Sequence, residues 1–380
     1  MRILFVAGPS PATVFGLASL AVAARQAGHQ VIMAGTEELV PHITGIGLPG
    51  AAVTPRTWES LIVTDRSGEP VPRMPRGVEP ERRHHGGWFG RLAAESLDGL
   101  RELAAHWRPE LVVGGSMSYA APLLAAQLGI PYVRQAWDLY DTRGVDPYAA
   151  EELRPELDAS GLDGLPAPDL RIDVCPPSLR PPDADPAQSM RWIPYNRQEP
   201  LEPWMYTRGE RPRVCVTSGS RETEANRDFL GRLVADLAAF DAEILVAAPE
   251  EATSRLRQTV GRVRIGWMPL DVVAPTCDLV VHHGGGVTGM TALGAGAAQL
   301  LLPRWDIFAS TMRRTAEQGA AQVLFPEDAT PEAVLRACRE LLEEPGHRKG
   351  AGEIAAEIAA LPGPAEVVGA LERLAARHRA

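Results

Sequence analysis

Short, continuously apolar runs alternate with longer helical stretches through both halves of the chain. In the first half the runs lie at residues 3–6, 31–34, 111–113 and 132–134, and a helical pattern over 13–27 is closed by Gly28. A glycine just past a helix takes the left-handed conformation that ends it. In the second half comparable runs fall at 214–217, 244–247, 279–282 and 300–302. Strands buried on both faces read this way, apolar without alternation, and their separation by helices predicts parallel sheets. Between the two series, from about Arg171 to Arg211, the chain carries Pro176-Pro177, Pro181-Pro182, Pro194, Pro200 and Pro203, which suits a stiff, irregular connector. The pattern predicts an α/β protein with two Rossmann-like domains facing across a cleft. They span 1–195 and 212–380, joined by a linker over 196–211, and the final helix is expected to pack back on the first domain. No short repeat is visible, which excludes solenoids.

The length of 380 residues exceeds what one hydrophobic core usually supports, in keeping with two domains. A formal net charge of −10 argues against a nucleic-acid partner, whose phosphates demand clustered Lys and Arg. Cys175, Cys215, Cys277 and Cys338 are scattered without a Cys-x-x-Cys pair and read as small buried hydrophobes in a reducing compartment. The opening apolar run is short and breaks at Gly8-Pro9-Ser10-Pro11, which makes it a first strand and not a signal peptide. No apolar run approaches the roughly 20 residues of a membrane helix, so a cytoplasmic protein with no membrane partner is expected.

Chemistry concentrates in residues 267–288, WMPLDVVAPTCDLVVHHGGGVT. A strand delivers His282 and His283 into the turn Gly284-Gly285-Gly286, and a helix is predicted to start near Thr288. Glycines let the backbone approach an anion, and a helix N-terminus offers unpaired N–H groups. His283 beside them can donate a hydrogen bond to a phosphate oxygen, so the segment describes a diphosphate site that needs no metal. The turn Thr217-Ser218-Gly219-Ser220-Arg221 offers hydroxyls, amides and a guanidinium to a phosphate, and suits a helix cap equally well. A glycine turn alone would also serve as packing around a core histidine; the length of the whole string argues for a nucleotide.

That string resembles the donor-nucleotide signature of metal-independent glycosyltransferases of the GT-B fold. The resemblance extends over nearly the whole chain. SPATVFGLASLAVAARQAGHQV, VGGSMSYAAPLLAAQLGIPYVRQAWD, VCPPSLRP, LEPWMYT and TSGSR are similar to actinomycete deoxysugar transferases of aromatic polyketide pathways, in particular the angucycline C-glycosyltransferase of the urdamycin pathway. It implies a hexosyltransferase of antibiotic biosynthesis with no cofactor and no metal. Such an enzyme moves an olivose-like 2,6-dideoxyhexose, with inversion, from a dTDP-sugar co-substrate to an angucycline-type aromatic polyketide, forming a C-glycoside. On the same resemblance Trp267, Pro269 and Leu270 shape the nucleobase slot. Ser218, Gly219, Ser220 and Arg221 then join His283, Gly284, Gly285, Gly286, Val287 and Thr288 around the diphosphate. O-glycosylation of the same acceptors, 2-epimerisation of a sugar nucleotide, and a non-catalytic transferase-like helper are alternatives that the sequence leaves open.

Departures from the family pattern sharpen the picture. Thr13 stands where many relatives carry a catalytic histidine, and its hydroxyl is no base near neutral pH. Ile307-Phe308 replaces an Asp-Gln pair that grips sugar hydroxyls, which suits a deoxysugar and leaves Asp306 as the nearest polar group. Ala298 replaces a proline. The candidate general base is Asp138, at the carboxyl end of the strand over 132–134. Trp137 and Tyr119 are expected to bracket the acceptor and desolvate the carboxyl group. A loop aspartate also serves as a cap or solvated turn, and Asp141 competes for the role. Ser10, Thr13, Trp58 and Met117 complete the expected acceptor side. The stretch 54–88 suits a long mobile loop, with Met74, Trp88 and Phe89 set against a flat acceptor. Alternatively, Trp88 and Phe89 pack their own helix, predicted from 88 to about 104. Arg82-Arg83-His84-His85 reads as a solvated helix start. Asp183-Ala-Asp185, a metal-type pair, lies between prolines and reads as a solvated turn.

Overall fold

Each apolar run becomes a strand of one of two parallel sheets. The structure, a computed structural model, describes residues 1–72, 76–219, 224–237, 240–249 and 263–379. The first sheet contains β1 (Arg2–Val6), β2 (Gln30–Thr36), β3 (Gly50–Thr54), β4 (Leu111–Gly115), β5 (Tyr132–Gln135), β6 (Leu170–Asp173) and β7 (Gln188–Ser189). Their order is β3-β2-β1-β4-β5-β6-β7. The second contains β8 (Arg213–Thr217), β9 (Glu243–Ala247), β10 (Arg264–Gly266), β11 (Leu279–His282), β12 (Ala298–Leu301) and β13 (Ala321–Val323), in the order β10-β9-β8-β11-β12-β13. Central strands carry no polar alternation because both faces are covered: Ile3, Leu4 and Phe5 are all fully buried. Ile3 lies between Val31 and Leu111, and Leu279 between Val214 and Ala298.

The strand order reverses between β1 and β4 in the first sheet and between β8 and β11 in the second. Loops leaving the carboxyl ends of such neighbouring strands diverge to opposite faces and open a crevice. The four loops that follow β1, β4, β8 and β11 are therefore where a ligand is to be sought.

The two halves share packing. Leu371 and Leu374 of the last helix, Pro364–Arg379, lie in one core cluster with Leu17 and Leu20 of the first helix, Pro11–Gln26. Trp192 of the crossing segment and Met290 and Leu293 of the helix Gly286–Gly294 belong to the same cluster. Burying a leucine of this kind contributes about 2 kcal/mol. Arg379 pairs with Glu110 at 2.8 Å, and His378 meets the Gly129 carbonyl at 2.8 Å, so the chain end is held on the first domain.

Two expectations need correcting. The proline-rich stretch from 171 is not uniformly irregular, since β6 and β7 extend the first sheet; the crossing segment begins only after Ser189. Nor is 54–88 one long loop: it contains the helix Trp58–Val63, and the helix carrying Trp88 runs over Val78–Trp107. Pro80 sits in the first turn of that helix, where a missing N–H is tolerated, and Glu79 and Glu81 favour the positive end of the dipole. Among the described residues no single helix is long and apolar enough to cross a membrane.

Candidate active site

The loops at the two switch points line one cavity of about 370 Å³ between the domains. A cavity of that size is in the range of a small-molecule site. Ser10 and Thr13 follow β1, Met117 follows β4, Ser218 and Gly219 follow β8, and His283 follows β11. Trp58, Trp88, Phe89, Trp137 and Asp138 add an aromatic wall and a carboxyl group from the first domain.

His283 is half-buried, and its ring lies between Gly219 and Gly285. A Cβ on Gly219 would come 2.9 Å from Cε1, and one on Gly285 would come 3.0 Å from the same atom. Gly219 also has φ +89, a conformation that side chains resist. Burial first, then the neighbouring His282 and Arg304, push the pKa of His283 down to about 3. It is a neutral ring hydrogen-bonded to the Thr217 carbonyl, and its Nδ1 is sealed without a partner among the described residues. His282 is fully committed: Nε2 meets Gln299 Oε1 at 2.8 Å, and the Gly284 N–H donates to Nδ1 at 3.2 Å. That pair of bonds sets the tautomer and folds the turn. Beyond the turn the helix Gly286–Gly294 starts with no side-chain cap, so its first amides are available to an anion. Val287, Thr288 and Arg304 line the cavity here, Arg304 supplying a cation. At the other end Trp267 donates from Nε1 to the Arg197 carbonyl at 3.0 Å, and the Arg197 guanidinium lies 4.7 Å over the indole. Met268, Leu270, Ala247 and Ala248 complete an apolar slot beside it.

Asp138 sits where the two domains meet. Its Oδ1 accepts from the Tyr140 N–H at 2.8 Å, and burial pushes its pKa up to about 7. A Cβ on Gly286 would overlap the carboxyl group and lie 2.5 Å from the Asp138 Cβ, so a glycine at the first helical position leaves room for the acid. The Tyr140 hydroxyl donates to the Gly284 carbonyl, and its ring stacks 4.1 Å from Phe308, tying the acid's loop to the second domain. Trp137 is wedged among glycines: a Cβ on Gly8 would lie 2.9 Å from Cη2, and one on Gly16 3.2 Å from its Cα. Asp141, by contrast, is ion-paired with Arg143 at 2.7 Å; burial raises its pKa, but the Arg143 hydrogen bonds and charge outweigh that and hold it down. An acid poised near neutrality, flanked by apolar rings and next to an anion turn, can take a proton from an acidic hydroxyl.

Models of the "Erythromycin biosynthesis protein CIII-like" N-terminal and C-terminal domains match residues 22–219 and 231–374. The chain belongs to the EryCIII-like glycosyltransferase family. It is 34% identical over its full length to an L-demethylnoviosyl transferase of Streptomyces niveus, of which 99% is covered. It is 28% identical, also over its full length, to an aclacinomycin-T 2-deoxy-L-fucose transferase of Streptomyces galilaeus, of which 97% is covered. The Streptomyces sp. SF2575 glycosyltransferase SsfS6, solved with thymidine diphosphate, superposes with a TM-score of 0.86 at 34% identity, covering 98% of this chain and 99% of that one. The fold is therefore GT-B and the protein is a glycosyltransferase.

Within this EryCIII-like transferase the sequence-derived residues divide. Asp138, Ser218, Gly219, Trp267, Leu270, His283, Gly285, Gly286, Val287, Thr288, Ser10, Thr13, Trp58, Met117 and Trp137 all line the cavity. Thr13 also acts as a cap, its hydroxyl donating to the Ser10 carbonyl at 2.7 Å. Ser220, Arg221 and Met74 lie outside the described residues. Pro269 and Gly284 act through the backbone and do not line the cavity: Pro269 precedes the helix Leu270–Val273, and Gly284 turns its carbonyl to Tyr140. Two expectations are corrected. Tyr119 does not face the acceptor, because it enters the helix Ala120–Leu128 pointing inward, where its hydroxyl donates to Asp146 at 2.9 Å beside the Arg134–Asp146 ion pair. Asp306 lies off the cavity, 3.8 Å from Arg76, while Trp305 and Phe308 on either side face in. Asp183 pairs with Arg143 and Asp185 with Arg171.

Sequence reasoning missed Arg304, Tyr140 and His85. Arg304 follows the carboxyl end of β12, a position that would have flagged it. The charged run predicts a solvated His85, yet it is 7% exposed and lines the cavity. Glu81, His85, Trp88 and Leu92 recur at helical spacing and are all buried, so extending the apolar register back through the charged run would have found it.

Proposed function

We propose that the protein transfers a 2,6-dideoxyhexose, olivose-like, from a dTDP-sugar to an angucycline-type aromatic polyketide, with inversion, without a metal and with formation of a C-glycoside. The observation that carries this reading is the place of Asp138: buried, with a pKa near 7, between an aromatic wall and an anion-binding turn. The donor is supported by the thymidine diphosphate complex of SsfS6, and the deoxysugar by the 2-deoxy-L-fucose relative and the apolar Ile307-Phe308.

Asp138 removes the proton of a phenol lying along Trp137, Phe89 and Trp88, which loads negative charge on the ortho carbon. That carbon attacks the anomeric centre from the face opposite the diphosphate as the bond to the leaving oxygen breaks. The developing charge falls on the free amides at Gly285 and Gly286, on His283 and on Arg304. The ring C–H proton then passes to water, restoring aromaticity, and Asp138 returns its proton to the oxygen. The test is incubation with dTDP-olivose and an angucycline aglycone in EDTA, followed by mass analysis, acid hydrolysis and the anomeric NMR coupling. An acid-stable, inverted product is expected. Acid release of the sugar would reassign the linkage to oxygen, and absence of any adduct would point to a helper protein or, with an altered sugar nucleotide, an epimerase.

A further inference from the structure

The aromatic wall has two ends. At one, Trp137 leads into Asp138; from there Phe89 lies 6.3 Å from Trp137 between ring centres, Trp88 stacks on Phe89 at 3.8 Å, and His85 follows at 6.3 Å. His85 thus stands at the end of this run of rings. It is enclosed by Trp305 at 5.4 Å and Phe308 at 5.8 Å, edge to face, from the opposite domain. Its Nδ1 lies 2.7 Å from the Glu81 carbonyl, which can only accept, so Nδ1 carries the hydrogen and Nε2 bears a lone pair. Nε2 has no hydrogen-bond partner among the described residues, and it is not one of the sealed buried atoms, while the ring lines the cavity. Burial pushes the His85 pKa down to about 4, so the lone pair persists across the working pH range.

An otherwise apolar wall with one fixed hydrogen-bond acceptor besides the acid selects a particular kind of flat molecule. We propose that His85 is a specificity-determining residue that accepts, at Nε2, a hydrogen bond from a second hydroxyl of the aromatic acceptor, distinct from the one held by Asp138. The favoured acceptors are then fused aromatics with two separate hydroxyls, one held on the acid and another on the imidazole. This inference rests on the aromatic-acceptor reading above and adds a chemical requirement to it. A site built to accept a hydroxyl penalises an analogue that lacks one.

The test uses the full-length protein, its own Trp58, Trp88, Trp137 and Trp305 fluorescence, and two probes: a dihydroxyanthraquinone with hydroxyls on opposite rings, and its monohydroxy analogue. His85→Phe keeps ring and bulk but removes the lone pair; His85→Gln restores an acceptor. Removing one neutral hydrogen bond is expected to weaken binding of the dihydroxy probe roughly three- to tenfold. His85→Gln should recover most of that loss, binding of the monohydroxy probe should change little, and dTDP affinity measured by calorimetry should stay at its wild-type value. The same loss for both probes would mean that only ring shape matters and would overturn the proposal. So would unchanged binding of the dihydroxy probe, or a loss confined to dTDP. Wild-type protein that binds neither quinone would overturn the aromatic-acceptor reading along with it, a result distinct from the others.

Discussion

Replacing Asp138 by asparagine should cost the enzyme its activity and make it more stable, and both effects follow from burial of one carboxyl group. The side chain is 8% exposed and accepts one hydrogen bond, from the Tyr140 N–H, which an asparagine oxygen can also accept. Loss of a general base lowers kcat by about 10²- to 10⁴-fold, and dTDP affinity should not change. For the wild type, kcat/KM should rise with pH through about 7, the value to which burial pushes the acid. Stability runs the other way. Below the ordinary value of 3.8 the carboxyl is protonated in both folded and unfolded chains, and burial carries no ionic penalty. As pH rises from there to about 7, only the unfolded chain ionises, so stability falls; above about 7 the full penalty is present. The gap between 3.8 and about 7 corresponds to an upper bound of about 4 kcal/mol. Asparagine never ionises, so Asp138→Asn should unfold at a higher temperature than wild type above about pH 7, with the difference closing toward pH 4. Thermal unfolding monitored by circular dichroism across that range, alongside turnover by mass analysis, measures both effects. Parallel pH profiles in the two proteins, or turnover within a few fold of wild type, would refute the reasoning.

Gly286→Ala places a methyl group on the Asp138 carboxyl; a displacement near 1 Å should lower kcat by about 10²-fold and the overlap should lower stability by about 1–3 kcal/mol, and unchanged kcat would show that the acid is free to move. His283→Ala removes a hydrogen bond to a charged group, so calorimetry should show dTDP affinity falling by about tenfold or more with acceptor binding intact. Tyr119→Phe deletes the bond to Asp146 in a buried network and should lower stability by about 1 kcal/mol with unaltered acceptor KM; a raised KM would return Tyr119 to the acceptor site.

How much of this was legible in the sequence follows from what each residue type reports. Central strands such as β1, β4, β8 and β11 show as unbroken apolar runs because both faces are covered, and β11 hands directly into the glycine turn. Edge strands carry weaker signals: β3 is Gly-Ala-Ala-Val-Thr, and β7 is two polar residues among prolines. Side-chain direction was the harder problem. Tyr119 and Asp138 both follow strand ends, yet one turns into the core and the other into the cleft, a difference set by tertiary packing around Trp137. His85 was hidden because Glu-Arg-Arg-His-His reads as a charged surface, whereas Glu81 is buried and accepts the Ile307 N–H at 2.8 Å from the other domain.

The most direct test is a crystal structure of the protein with thymidine diphosphate and a hydroxylated anthraquinone bound together. The diphosphate is predicted on the amides at Gly285 and Gly286 beside His283, with the quinone flat along Trp88 and Phe89 and one hydroxyl within hydrogen-bonding distance of Asp138. A quinone bound elsewhere, or a hydroxyl directed away from Asp138 with the diphosphate in place, would contradict the account.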